Sequence, residues 1–393
     1  MRKYLSLLFA LSLLSTNKIN AQKIEKIVDQ ALQSAEKQCL LMAKHYENQQ
    51  GKLPRSFENG KNTSSDSRWW CSGFFPGTLW YLYENSKNED VLKYARMYTD
   101  RVEREKYTTD NHDVGFMLYC SFGNGLRITG DKHYKEVLLT GAESLSTRYD
   151  PKVGLIRSWD HNKDIWQYPV IIDNIMNLEL LLWAAKNSGT ESFKKIALSH
   201  ADKTMIHHFR PDYSSYHVVS YNRETGLPHK KQTHQGYSDD SVWSRGQAWG
   251  LYGYTYLYRE TKDKRFLEQA KHIADFLINH TKMPADFIPY WDYDVPPTAN
   301  TPRDASAACI MASALIELSD FVDAQSKIAY MRVVDKQIRS LASKEYTAKQ
   351  GQNGNFILKH STGAYPFKSE VDAPLTYADY YYLEALTRLK KRL

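Results

Sequence analysis

Apolar positions along this chain recur with a helical period over most of its length and almost nowhere alternate one in two. The pattern predicts twelve helices, near 25–48, 74–85, 90–106, 113–129, 132–149, 172–187, 190–209, 245–260, 264–280, 304–318, 323–344 and 377–391, and no run of strands. Four of these begin alike: Asn88-x-x-Val91-x-x-x-Ala95, Asp131-x-x-Tyr134-x-x-x-Leu138, Thr190-x-x-Phe193-x-x-x-Ala197 and Asp263-x-x-Phe266-x-x-x-Ala270. Each opens on a residue whose short polar side chain can accept from the free N–H groups of a first helical turn. Each also follows another helix within a few residues, so the repeating unit is a helical hairpin.

The two members of a hairpin differ in kind. One carries Lys and Glu on one face, as in Phe193-Lys194-Lys195-Ile196-Ala197, which marks a helix half in water. The other is apolar or small nearly all round, as in residues 305–314, and must be buried on every side. Six such hairpins close most simply into a double ring, an all-α (α/α)6 barrel filling residues 22–393 as one domain. The alternative, an open solenoid, calls for units more even in length than these. In a ring of parallel inner helices all six N-termini meet at one mouth. The unusual residues fall at those N-termini: Trp69-Trp70, His112-Asp113, Asp173-Asn174, Trp243-Ser244-Arg245 with Trp249, Arg303-Asp304, and Tyr377-Ala378-Asp379.

The first residues change the compartment. Arg2 and Lys3 precede an apolar run, Tyr4–Leu14, and a polar stretch ends in Asn20-Ala21 before Gln22, the form of a cleavable signal peptide over residues 1–21. The run is about half of what a spanning helix needs, and no Cys near the cleavage point offers a lipid anchor. The expected product is periplasmic, without a membrane anchor. Three of the seven excess positive charges, Arg2, Lys3 and Lys18, leave with the leader, so nucleic acid is not implied. Cys39, Cys71, Cys120 and Cys309 are spread through apolar contexts with no C-x-x-C pair, and are expected as buried small side chains. Trp 9, Tyr 28 and Phe 14 make 13% aromatic, more than a core requires and well suited to sugar faces.

Every candidate has a plain explanation as well. Asp113, Asp173, Asp304 and Asp379 stand where N-caps belong. Arg245 could neutralise a buried acid, Trp249 could be core, and His112, His217 and His234 could be ordinary hydrogen-bonding histidines. His207-His208 suits the C-terminal end of a helix dipole. No tight ligand spacing such as H-E-x-x-H is present, so neither a metal nor a cofactor is expected.

Taken in order, Trp70–Trp80 (WCSGFFPGTLW), His112–Phe116 (HDVGF), Asp173–Asn177 (DNIMN), His234–Gly236 (HQG), Trp243–Trp249 (WSRGQAW) and Pro302–Ala307 (PRDASA) resemble the unsaturated glucuronyl hydrolases of glycoside hydrolase family 88 over roughly residues 25–390. The resemblance implies an (α/α)6 barrel. It also implies an unusual hydrolysis of oligosaccharides that carry a 4,5-unsaturated uronate at the non-reducing end: hydration of the C4=C5 enol ether, after which the hemiketal opens and expels the next sugar. By the same resemblance, Asp173 is the general acid/base and Asp113 the acid that tunes it. Arg245 holds the uronate carboxylate, and His112, His217 and His234 with Gln235 contact hydroxyls, water or sugar. Trp249, Trp159 and Trp70 are then the stacking plates, with Trp166 and Trp69 competing for the last two places. Glycosaminoglycan disaccharides are the expected substrates. Ulvan or rhamnogalacturonan fragments, a lyase on the same fold and a non-catalytic glycan-binding barrel are the rivals.

Overall fold

The computed structural model describes residues 22–393 in full, so the leader expected over residues 1–21 lies outside the described residues. The helices are α1 (Arg2–Tyr46, described from Gln22), α2 (Phe74–Ser86), α3 (Glu89–Asp100), α4 (Val114–Leu118), α5 (Asn124–Thr129), α6 (Lys132–Ser146), α7 (Asn174–Ser188), α8 (Glu191–His207), α9 (Ser244–Thr261), α10 (Lys264–Asn279), α11 (Ala305–Leu318), α12 (Ala324–Leu341) and α13 (Thr376–Lys390). The helix expected over 113–129 is α4 and α5 joined by a π turn at Tyr119–Gly123, a one-residue widening of the helix.

Packing closes a ring. α2 packs on α4/α5, α4 on α7, α7 on α9, α9 on α11, α11 on α13, and α13 back on α2. Outside it, α3 packs on α2, α6 on α4 and α7, α8 on α7, α10 on α9, α12 on α11, and α1 on α2 and α13. This is the (α/α)6 barrel, with apolar-all-round helices inside and half-polar ones outside. α11 is buried along its whole length, whereas α10 buries only the stripe Phe266, Ala270, Ile273, Ala274 and Leu277 with Gln269.

The two ends of the ring are built differently. At the closed end, inner and outer helices join through two-residue turns: Lys87-Asn88, Gly130-Asp131, Gly189-Thr190 and Lys262-Asp263. The first residue of each is left-handed and stops one helix, and Asn88, Asp131 and Asp263 cap the next through their side chains. At the mouth the connections are long and carry strands that periodicity did not predict. These are β1 (Leu53–Glu58) with β2 (Lys61–Ser65), β3 (Tyr149–Asp150) with β4 (Leu155–Ile156), β5 (Pro169–Ile171) with β6 (Val218–Tyr221) and β7 (Pro228–Gln232), and β8 (Ser361–Ala364) with β9 (Ser369–Ala373), all antiparallel. None exceeds six residues, too short for alternation to register in sequence.

All four cysteines are buried and free. His207 and His208 are not the dipole cations expected of them. His208 is buried with Nε2 on the Val170 carbonyl (3.0 Å), His207 Nδ1 meets the Tyr221 hydroxyl (3.1 Å), and burial holds both below the usual imidazole pKa. Among the described residues no helix is long and apolar enough to cross a membrane.

Candidate active site

Of the four acids expected as caps, only Asp304 behaves as one, accepting from the Ser306 and Ala307 N–H groups. Asp379 sits inside the first turn of α13 and takes the N–H groups of Ile357 and Leu358, both at 2.9 Å. Asp113 and Asp173 occupy the N-cap positions of α4 and α7 but spend no side-chain hydrogen bond on capping. Both carboxyls are therefore free to face the centre of the mouth.

Burial pushes Asp113 well above the usual carboxylate range, and the Asp173 charge adds to it, against the pull of Asn177 and Arg148. Asp173 is likewise raised by burial, against the Arg245 charge and the Trp249 indole N–H. Two carboxyls that cannot both ionise cheaply form a pair that holds a proton near neutral pH. Asp173 Oδ2 has no hydrogen-bond partner among the described residues, so this oxygen is uncommitted.

His217 stands beside it, with Nε2 3.8 Å from Asp173 Oδ2. Its Nδ1 accepts from the backbone N–H groups of His234 and Gln235, both at 3.1 Å, so that nitrogen carries no proton. Burial with three neighbouring histidines and Arg245 holds the ring neutral, which fixes the proton on Nε2, toward Asp173. The loop bearing His234 and Gln235 is thus anchored on the imidazole that faces the acid. Asp292 secures the other end of this loop, accepting from Tyr237 N–H (2.9 Å) and Ser241 Oγ (2.7 Å). Gln235 is half-buried, and its side chain makes no hydrogen bond among the described residues. His112 is buried with Nε2 3.5 Å from Asp113 Oδ1, and burial, with Arg148 adding to it, lowers its pKa to about 3.

Two expected roles need correcting. Arg245 is 1% exposed and already engaged: Nη1 donates to Asp304 (3.0 Å) and the Thr362 carbonyl (2.6 Å), and Nη2 to the Gly363 carbonyl (2.5 Å). A guanidinium held in this way ties α9 to α11 and to β8, and only the edge formed by Nε, which has no partner among the described residues, and the second Nη2 N–H is left for a carboxylate. The acid it neutralises directly is Asp304. Trp249 is wholly buried, its ring between Phe116 (5.1 Å) and Tyr381 (5.3 Å) and its indole N–H without a hydrogen-bond partner among the described residues, so it offers a sugar no face.

The paired alternatives for the stacking plates separate by burial. Trp70 is half-buried against Tyr377 (4.8 Å) and Phe116 (5.6 Å), at the floor of the mouth, whereas Trp69 points outward beneath the Arg55 guanidinium (4.2 Å). Trp159 is half-buried and stacked on His161 (4.9 Å), with His234 at 5.4 Å, whereas Trp166 is buried and donates to Gln232. Phe367, from the turn between β8 and β9, covers the His234 ring at 4.7 Å. Sequence reasoning gave no role to Arg148, Asn174, Asn177, Asp292 or Phe367. Asn174 and Asn177 lie within the quoted DNIMN string. The others contact the site only through folding, and no local signal marks them.

The mouth of an (α/α)6 barrel, lined by aromatic rings, with two buried carboxyls raised above their usual range and a neutral imidazole beside them, carries the groups of an enzyme that works by proton transfer. The chain matches Glycosyl Hydrolase Family 88 over residues 35–391 and belongs to that family. It is 46% identical over 323 residues to an unsaturated glucuronyl hydrolase of Formosa agariphila, covering 82% of this chain and 80% of that protein. To an unsaturated chondroitin disaccharide hydrolase of Streptococcus pneumoniae it is 34% identical, covering 86% of each. Its fold superposes on the crystal structure of an unsaturated glucuronyl hydrolase specific for heparin with a TM-score of 0.90, at 49% identity, over 94% of this chain and 98% of that one.

Proposed function

We propose that the protein removes the 4,5-unsaturated uronic acid from the non-reducing end of lyase-generated glycosaminoglycan disaccharides, with Asp173 as general acid/base and Asp113 as its partner. The observation that carries this reading is the pair of buried carboxyls raised above the usual carboxylate range, one with an oxygen uncommitted. A carboxyl that keeps its proton near neutral pH can deliver it to C4 of the enol ether. The resulting carboxylate takes a proton from the water that bonds to C5, which restores the acid. The new C5 hydroxyl belongs to a hemiketal; its ring C5–O bond opens to a ketone, and the liberated hydroxyl on C1 expels the next sugar.

His217, whose Nε2–H lies 3.8 Å from Asp173 Oδ2, steadies by its dipole the Asp173 carboxylate formed in this cycle, and Trp70 and Trp159 bracket the sugar ring. The chondroitin and heparin relatives support glycosaminoglycan fragments as the substrate class. The leader-like residues 1–21 support export to the periplasm, to be checked by N-terminal sequencing of the mature protein and fractionation of the cells. A panel of lyase-made disaccharides, followed by loss of the ultraviolet absorbance of the conjugated alkene, tests the activity. Saturated disaccharides of the same composition are expected to be inert, and their hydrolysis would overturn the mechanism.

A further inference from the structure

α4 begins in an unusual way. Its N-cap residue, Asp113, would ordinarily turn its carboxylate back onto the N–H two or three residues on. Here the N–H of Phe116, three residues on, is taken by Asn177 Oδ1 of α7 at 2.8 Å. The helices meet closely enough for this because Gly115 lies against Asn177: a Cβ at position 115 would stand 2.6 Å from the Asn177 Cα. With Oδ1 fixed on Phe116, the Asn177 amide orientation is determined. Its Nδ2 is wholly buried and has no hydrogen-bond partner among the described residues, and it lies close enough to the Asp113 carboxyl to pull its pKa down against burial.

We infer that Asn177 is a positioning residue that caps α4 in place of Asp113, leaving the Asp113 carboxyl free for the reaction and oriented by the Asn177 amide. The inference rests on reading Asp113 and Asp173 as the reacting pair. It explains why an aspartate at a helix N-terminus, where the backbone dipole and a capping bond would hold it ionised, is able to keep a proton. It also gives one helix control of both acids, because Asp173 and Asn177 lie one turn apart on α7. The other groups facing Asp113 are Asp173, His112, Arg148 and the Cys71 thiol.

Two substitutions separate this role from plain structural support. Asn177→Ala removes the amide that pulls Asp113 down but frees the Phe116 N–H, and the full capping bond Asp113 then makes by swinging onto its own helix outweighs that loss, so Asp113 titrates lower. Asn177→Asp keeps the acceptor for Phe116 but faces Asp113 with a second acid, so Asp113 titrates higher. Each is expected to lower kcat by about tenfold or more while KM moves by less than about threefold. Asp113 is followed by infrared difference titration against Asp113→Asn, a readout that needs no turnover. Opposite shifts in the two variants support the inference. Shifts in the same direction, or no shift, overturn it, as does failure of both variants to fold, since loss of one cap does not unfold a barrel of this size. A wild-type enzyme inactive on every unsaturated disaccharide would instead overturn the functional reading and leave the titrations to decide this one.

Discussion

The two ends of the barrel bury acids to a similar depth and treat them in opposite ways. At the closed end, a cavity of about 510 Å³ is lined by Tyr81, Tyr119, Trp183 and Tyr252 together with Glu384 and Arg388. Its charges answer one another: Arg388 pairs with Glu317 (2.8 Å) and Glu384 (3.2 Å), Arg259 with Glu317 (2.8 Å) and Glu179, and Arg127 and Lys391 with Glu84. Burial pushes Glu317 up, but Arg388 and Arg259 outweigh it and hold the carboxyl below its usual value; Glu179, with Arg259 alone against burial, rises. At the mouth, Asp113 and Asp173 face each other without a direct arginine partner, and both rise. Depth alone therefore does not make a catalytic acid. Whether the fold supplies enough cationic charge to outweigh burial, as two arginines do for Glu317, separates the closed-end network from the mouth pair, and the closed-end cavity, with its charges paired, reads as structural.

Asp173→Asn should break the mouth most. The amide has the same size, so folding and substrate binding persist while the transferable proton is lost, and kcat should fall by about 10² to 10⁴. A variant retaining a tenth of wild-type kcat would remove Asp173 from the chemistry. Arg388→Met is the matching break at the closed end. It strands Glu384 without its cation, leaves Glu317 with Arg259 alone, and should cost about 3 kcal/mol of stability by denaturant titration. Turnover per folded molecule should stay within about twofold, because the sites are far apart. A large kcat loss at full stability would tie the closed end to the reaction.

The contrast also predicts opposite pH dependences of stability. Burial raises Asp379, at the mouth end of α13, to about 7, so the folded state holds its proton more tightly than the unfolded chain does. Its contribution is present below the ordinary carboxylate pKa and is lost as pH rises to about 7. Glu84 runs the other way: Arg127 and Lys391 overcome burial and hold it at about 2, so its contribution is present above the ordinary pKa and is lost as pH falls toward 2. By linkage Asp379 should be worth about 4 kcal/mol across its window and Glu84 about 1 to 2 kcal/mol, the Glu84 figure being reduced by the exposure of its partners. Thermal unfolding across pH should show Asp379→Asn flattening the loss of stability from the ordinary carboxylate pKa up to about 7, and Glu84→Gln flattening the loss from the ordinary pKa down to about 2; flattening of the same limb by both would refute the contrast.

A smaller effect sharpens the picture of the mouth. Arg245→Lys should lose activity by a similar factor on a free-acid substrate and on its carboxyl ester, since three of the five guanidinium N–H groups are engaged by Asp304 and two carbonyls and their loss is felt on both. A markedly smaller loss on the ester would restore Arg245 as the carboxylate clamp.

Helix number, the inner and outer character of each helix, and the gathering of the site at one mouth were legible in the chain, because period and polarity are local properties that a helix carries wherever it packs. Asp113 and Asp173 were legible as well, through the strings around them. The short strands of the mouth were not, since two to six residues carry too little alternation and their pairing is decided by loops folding onto one another. Nor could the chain show which of four cap-like aspartates would cap. That depended on Asn177 reaching Phe116 from another helix and on Ile357 and Leu358 reaching Asp379 from a distant loop. Arg245 and Trp249 carry the residue types of a binding site, yet their partners, Asp304, Thr362, Phe116 and Tyr381, lie on four other segments. Sequence by itself determined which groups stand at the mouth. The tertiary structure decided which of them are already spent on one another and which are left for the substrate, because a hydrogen bond or an ion pair depends on distance through space, which order along the chain does not record.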